Sequence, residues 1–164
     1  MISVPDYLVF VDDALGGMIG IVLELGDERA NHRLDLPGSN SPYALLTHCL
    51  GVLDYWGGAF IAGRTIERDR DAEFRASGPV ADLVDRAHRA REQLEADLMD
   101  YAALAPPQAS VLRAHLRTWP EDAKLPLAKT QDGVLIHIYE ELAQHRGQME
   151  TIRDVLGAQW AQVI

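Results

Sequence analysis

The sequence predicts an all-α domain, a four-helix bundle with a long crossover before its last helix. Two observations carry that expectation. Long segments repeat apolar residues at the spacing of a single helix face, and capping or breaking residues bound them. No stretch carries a convincing hairpin signal, and four helices without hairpins pack best on one another. The 164 residues suit one domain, 1–164, with a sizeable core.

The first helix is expected from about Pro5 to Leu25, with Ser3 as its N-cap and Asp6 three residues on. Gly16, Gly17 and Gly20 lower its propensity and mark either close packing or a weak turn. The turn-rich "NHRLDLPGSNSP" follows, in which Asn40 or Ser41 can cap the second helix, Pro42 to Ala62. That helix is apolar around much of its circumference, as a deeply buried helix is, and Gly63 ends it. The charged "RTIERDRDAEF" then reads as an exposed connection.

The third helix starts at "SGPVADL", with Pro79 suited to its first turn. Val80, Val84, Ala87, Leu94, Leu98 and Tyr101 recur at a bundle-seam spacing. "APP" at 105–107 stops it. Ala109 to Lys129, with Pro120 and Pro126, reads as the crossover, carrying a short helix around Val111 to Arg117. The fourth helix is expected from Asp132 to Leu156, closed by Gly157.

Charge and cysteine usage narrow the function classes. With 15 Lys+Arg against 25 Asp+Glu, the net charge is −10, which disfavours nucleic acid and anionic membrane surfaces as partners. The single cysteine, Cys49, rules out an internal disulfide and reads as a small buried hydrophobe. The N-terminal stretch lacks the basic start of a signal peptide, and no uninterrupted apolar run approaches a membrane span. A cytoplasmic location is the expectation.

The stretch "HIYEELAQHRGQME" departs from the core pattern. At about 100° per residue, with Val134 as zero, Ile138, Leu142, Met149, Ile152 and Leu156 fall between about 0° and about 80°. Glu141 falls at about −20° and His145 at about 20°, inside or beside that stripe, with His137 at about −60° on its edge. A buried carboxylate either neutralises or finds a strong partner. Glu141 and His145 therefore form a satisfied pair or two ligands of one metal ion, since positions four apart converge on a single point. His48, bordered by Leu45, Val52, Tyr55 and Ala59, is a third candidate from the most apolar helix. Two histidines and a carboxylate would leave a metal an open position, as in catalytic zinc, and the set also suits non-haem iron. His137 is a neighbouring or substrate-facing group. His32, His88 and His115 read as solvated or locally bonded.

A buried helix-two histidine followed far downstream by "HIYEELAQHRGQ" resembles the DinB-like superfamily of metal-dependent four-helix bundles. "GSNSPYALLTHCLGVLDYW" and "GRTIERDRDAEF" add to the resemblance, which covers most of the chain. It implies metal ligation by His48, Glu141 and His145. Glutamate at position 141, where many members carry histidine, is similar to the actinobacterial mycothiol-dependent S-transferase and maleylpyruvate-isomerase N-terminal-domain branch. That branch implies a divalent metal, zinc foremost with nickel or iron accommodated, and mycothiol or a similar small-molecule thiol as co-substrate. The implied reaction is attack of the thiol on an electrophile. The isomerase itself has a further C-terminal domain, whereas this sequence ends at Ile164, so that activity is not expected. Related sequences often read HxGHADLLRE where this one has "HRGQMETIRD", so Gln148 and Glu150 alter the surroundings. Arg64, Arg68 and Arg70 either help hold a polar sugar-thiol or form a solvated surface. Two other functions fit the same residues: a metal-binding stress or accessory protein without turnover, and a metal-dependent hydrolase. A tight bundle is also able to pair as a homodimer.

Overall fold

The computed structural model describes residues 2–102, 105 and 130–160, without the side chains of Asp100, Gln159 and Trp160. Among the described residues every regular element is helical, so the all-α class holds. The expected crossover and its short helix, Val111 to Arg117, lie outside them, as does His115.

Helix α1 spans Val4–Ala30. Ser3 caps it by accepting the Asp6 N–H at 3.2 Å, which satisfies one of the unpaired donors of the first turn. Of the three early glycines, Gly17 serves close packing, because a Cβ there would stand 2.5 Å from Nε of Arg146. At Gly16 and Gly20 a Cβ would meet nothing within 4 Å among the described residues. The backbone breaks instead at Gly26, whose φ of 67° favours glycine. The turn beyond it reaches across the fold, where Asp27 Oδ1 accepts the Val80 N–H at 2.8 Å. Asn31 exchanges bonds with Gly78, accepting its N–H at 3.0 Å and donating to its carbonyl at 2.8 Å. Pro79 offers no capping side chain to the next long helix, so the end of α1 supplies the cap.

Helix α2 spans Pro42–Val52, capped by Ser41, whose hydroxyl accepts the Ala44 N–H at 3.2 Å. The expected second half of this helix is not α-helical. Leu53–Ile61 forms a π-helical stretch, and Ala62 N–H donates five residues back to the Gly57 carbonyl. The wider turn accommodates close neighbours, since a Cβ on Gly57 would meet Leu94 at 2.7 Å and one on Gly58 would meet Arg64 at 2.3 Å. Gly63, at a φ of 71°, ends the stretch as expected. Pro42–Ile61 is long and apolar enough to cross a membrane by length and composition alone, but its core window is 83% buried within the protein. Its apolar character is accounted for by packing.

The charged connector contains the single turn α3, Arg70–Glu73, capped by Asp69. Helix α4 spans Val80–Asp97 and tightens into a 3₁₀ turn, Leu98–Asp100. Of its expected seam, Val80, Ala87, Leu94 and Leu98 are buried. Leu83 and Asp97 are buried, while Val84 and Tyr101 are half-buried. Helix α5 spans Gln131–Trp160 and continues through Gly157, which adopts the helical backbone and where a Cβ would meet nothing within 4 Å among the described residues. Val134, Ile138, Leu142, Met149, Ile152 and Leu156 are all buried, as the apolar stripe requires. Each such side chain contributes about 1.5–3 kcal/mol on leaving water.

Helix α1 packs on α4 and α5, and α2 with its π-helical stretch packs on the same pair. Tyr7 ties α1 to α5 by donating its hydroxyl to the Leu135 carbonyl at 2.9 Å. This packing presents α2 and α5 to each other along the line that carries His48 on one and Glu141 on the other.

Candidate metal centre

His48 projects from the middle of α2 and is 2% exposed, whereas Glu141 and His145 on α5 keep 27% and 20%. The cluster is closed on the α2 side and open along α5. Nε2 of His48 lies 3.2 Å from Oε2 of Glu141, and Nε2 of His145 lies 3.4 Å from the same oxygen. One ligand atom from each of the three falls within 4.8 Å of the others, a grouping able to hold a metal ion.

The outward nitrogens are also engaged. Nδ1 of His48 lies 2.8 Å from Oε2 of Glu73, and Nδ1 of His145 lies 3.1 Å from Oε1 of Gln148. A carboxylate only accepts, so Nδ1 of His48 carries the proton it shares with Glu73. Arg68 Nη2 lies 3.3 Å from the same nitrogen but is itself a donor and cannot take that proton. By the same rule the Nε2 atoms that face Glu141 share protons with that carboxylate, protons that a divalent cation would displace. With those protons displaced, two imidazole nitrogens and one carboxylate would be a donor set that fits a divalent cation.

Electrostatics agree with the geometry. Hydrogen bonds from His145 and His48 hold the Glu141 carboxyl far below its ordinary range, outweighing burial. Burial would lower the His48 pKa, but its bonds to Glu141 and Glu73 override this and raise it. Burial would likewise raise Glu73, yet bonds from Arg68 and His48 bring it below the usual carboxylate value. The chain therefore keeps both carboxylates ionised around a buried imidazole.

His137 borders the cluster without joining it. Its ring packs edge-on against Trp56 with centroids 4.5 Å apart, and its Nε2 lies 3.7 Å from Oε1 of Glu141. Among the described residues the buried Nδ1 has no hydrogen-bond partner, and Oε2 of Glu140 lies 3.6 Å from it. Cys49 is fully buried and its thiol lies 4.0 Å from the Glu141 carbonyl, which fits its reading as a small hydrophobe. His32 and His88 are exposed and stand outside the converging set.

The sequence reading missed the connector's part. "RTIERDRDAEF" is not simply a solvated run, because Glu73 and Arg68 are largely buried over His48. Phe74 stacks on the His48 ring at 4.3 Å. The three arginines considered for a sugar-thiol are each engaged. Arg64 binds Asp97 through Nε and Nη2 at 2.9 and 2.7 Å and also Asp54, Arg68 binds Glu73, and Arg70 lies over the Phe74 ring. Gln148 and Glu150 also gain roles, the first accepting from His145 and the second from Arg146. The only sequence hint of the connector's position was Gly51, three residues after His48, where a Cβ would collide with Glu73.

No curated protein matches the chain significantly. A family model described as mycothiol-S-transferase matches residues 8–158, which include α2, the connector and the part of α5 that bears Glu141 and His145. The chain belongs to the mycothiol-S-transferase family, a DinB-like family.

Proposed function

We propose that this protein is a metal-dependent thiol S-transferase that conjugates mycothiol, or a similar low-molecular-weight thiol, to an electrophilic small molecule. Nε2 of His48, the carboxylate of Glu141 and Nε2 of His145 would hold a divalent metal, for which zinc suits the two imidazoles and one carboxylate. When bound, the metal supplies Lewis-acid chemistry that makes a thiol of pKa about 8.5 a nucleophilic thiolate at neutral pH.

The chain's own groups account for the rest. Three protein ligands would leave a coordination position free, and the partial exposure of Glu141 and His145 favours an approach along α5. With their Nδ1–H groups held by Glu73 and Gln148, His48 and His145 would present Nε2 to the metal, giving up the protons they share with Glu141. His137 flanks the other oxygen of Glu141 and is assigned here as a neighbour, not a ligand. A general base is not required among the side chains, since nucleophile activation rests on the metal. Buried Cys49 is not the nucleophile, which is the exogenous thiol. A reducing cytoplasm suits such a co-substrate.

The observation that carries this reading is the convergence of His48, Glu141 and His145 within a chain of the mycothiol-S-transferase family. It is tested by elemental analysis of the isolated protein, followed by mycothiol binding to a cobalt-substituted sample. About one metal per chain, and a cobalt absorption band that shifts on thiol addition, is expected for a site with one open position. A protein that takes up no metal contradicts it.

A further inference from the structure

Glu73 sits on the charged connector, outside the convergent set, yet makes the shortest polar contact of the buried His48 ring. Its Oε2 is 2.8 Å from His48 Nδ1. Arg68 fixes that carboxylate with two bonds, Nε to Oε1 at 2.7 Å and Nη2 to Oε2 at 2.8 Å. Phe74, the next residue, stacks on the same ring at 4.3 Å and 24°. The backbone of α2 is shaped for this arrangement, because a Cβ at Gly51 would stand 2.1 Å from Oε1 of Glu73 and 2.6 Å from its Cδ. One carboxylate, its clamp, a ring cover and a cradle all converge on a single imidazole.

We propose that Glu73 is the positioning residue of the metal centre. By accepting the Nδ1–H of His48 it fixes the tautomer and ring orientation that aim Nε2 at Glu141 and His145. An imidazole without that acceptor is free to carry its proton on Nε2, where it blocks ligation, or to rotate about χ2. A carboxylate partner also makes the inward nitrogen more basic, and loss of such a partner typically costs about 10–100-fold in metal affinity. The connector thereby serves as the outer support of the site rather than as a solvated link between α2 and α4. The inference rests on the proposed metal site and goes beyond it by assigning a residue that would not touch the ion.

The test measures zinc affinity by chelator competition, and the cobalt absorption spectrum, for wild type and three variants. Glu73→Ala is expected to bind zinc about 10–100-fold more weakly with an altered cobalt spectrum. Glu73→Gln, which keeps an acceptor oxygen but not the charge, is expected to fall between it and wild type. Gly51→Ala removes no polar group and favours helix, yet must push the carboxylate aside. It is expected to lose metal affinity without losing thermal stability in the metal-free state, which a merely structural role for Glu73 does not predict. Glu73→Ala or Gly51→Ala with wild-type affinity and spectrum overturns the inference. If Glu73→Ala does not fold, Glu73→Gln and Gly51→Ala decide by the same criteria. Failure of wild type to bind either metal overturns the metal-site reading itself, and this inference with it.

Discussion

His48 and Glu141 are 93 positions apart in the chain, and Nε2 of the first lies 3.2 Å from Oε2 of the second. Helices α2 and α5 bring them together, and Nε2 of His145 meets the same oxygen from one turn further along α5. Two imidazole nitrogens directed at one carboxylate in a largely apolar interior are costly unless a cation or shared proton joins them.

That relationship separates ligands from neighbours. Alanine at His48, Glu141 or His145 is expected to weaken zinc binding by more than about tenfold, the loss associated with even an outer partner. His137→Ala is expected to keep about one zinc per chain, because His137 lies outside the convergent set. Metal content after gel filtration reads both outcomes. Full zinc in all three single variants would remove the triad.

Much of this site was legible because α5 violates its own pattern. Glu141 and His145 occupy a stripe whose other members are buried valine, leucine, isoleucine and methionine, and His48 stands in a largely apolar helix. Glu73 was not legible, since its position over His48 depends on how the connector folds back and on the missing side chain of Gly51. Local charge density argues for a surface, and only tertiary contact reveals the clamp by Arg68. The π-helical stretch was hidden for a related reason. "LDYWGGAFI" has the composition of a buried α-helix, and its wider turn goes with close approach of Leu94 and Arg64 to two glycines. The end of α5 was misjudged because glycine permits a helix stop but does not impose one.

Two glycines of α1 should respond oppositely to alanine. Gly20→Ala fills space that is open among the described residues, in a regular helical turn, and is expected to stabilise by about 0.5–1 kcal/mol. Gly26→Ala places a Cβ at a φ of 67° and is expected to destabilise by about 1–2 kcal/mol. Denaturant midpoints measured side by side distinguish the two signs. Equal effects at both positions would contradict the kink.

Stability should fall at alkaline pH through Tyr7. Burial, with a smaller contribution from Tyr101, raises the Tyr7 pKa well above the ordinary tyrosine value of 10.0. A folded-state pKa above the unfolded one gives stability that is complete below the unfolded value. It is lost as pH rises beyond that value toward the folded one, because the unfolded chain gives up its proton first. Tyr7→Phe removes the hydrogen bond to Leu135, is expected to cost about 1 kcal/mol at neutral pH, and should flatten the decline above about pH 10. An unchanged alkaline slope in that variant would refute this assignment.

The cysteine should be inert in the native state. Burial pushes the Cys49 thiol well above its ordinary pKa, with Glu141 adding to the effect, and the residue is fully inaccessible. Alkylation by iodoacetamide at neutral pH is expected to be at least about 100-fold slower than in denaturant, because reaction requires an opening of the fold. Rapid modification of the native protein would contradict the packing of α2.

The transferase reading is tested most directly by one assay. Zinc-loaded protein is mixed with mycothiol and a reactive test electrophile, and conjugate formation is followed by mass spectrometry. Conjugate should form faster than without protein, fall to the uncatalysed rate when a chelator removes the metal, and recover when zinc is restored. A sample holding about one zinc per chain that forms no conjugate above the uncatalysed rate would contradict the reading.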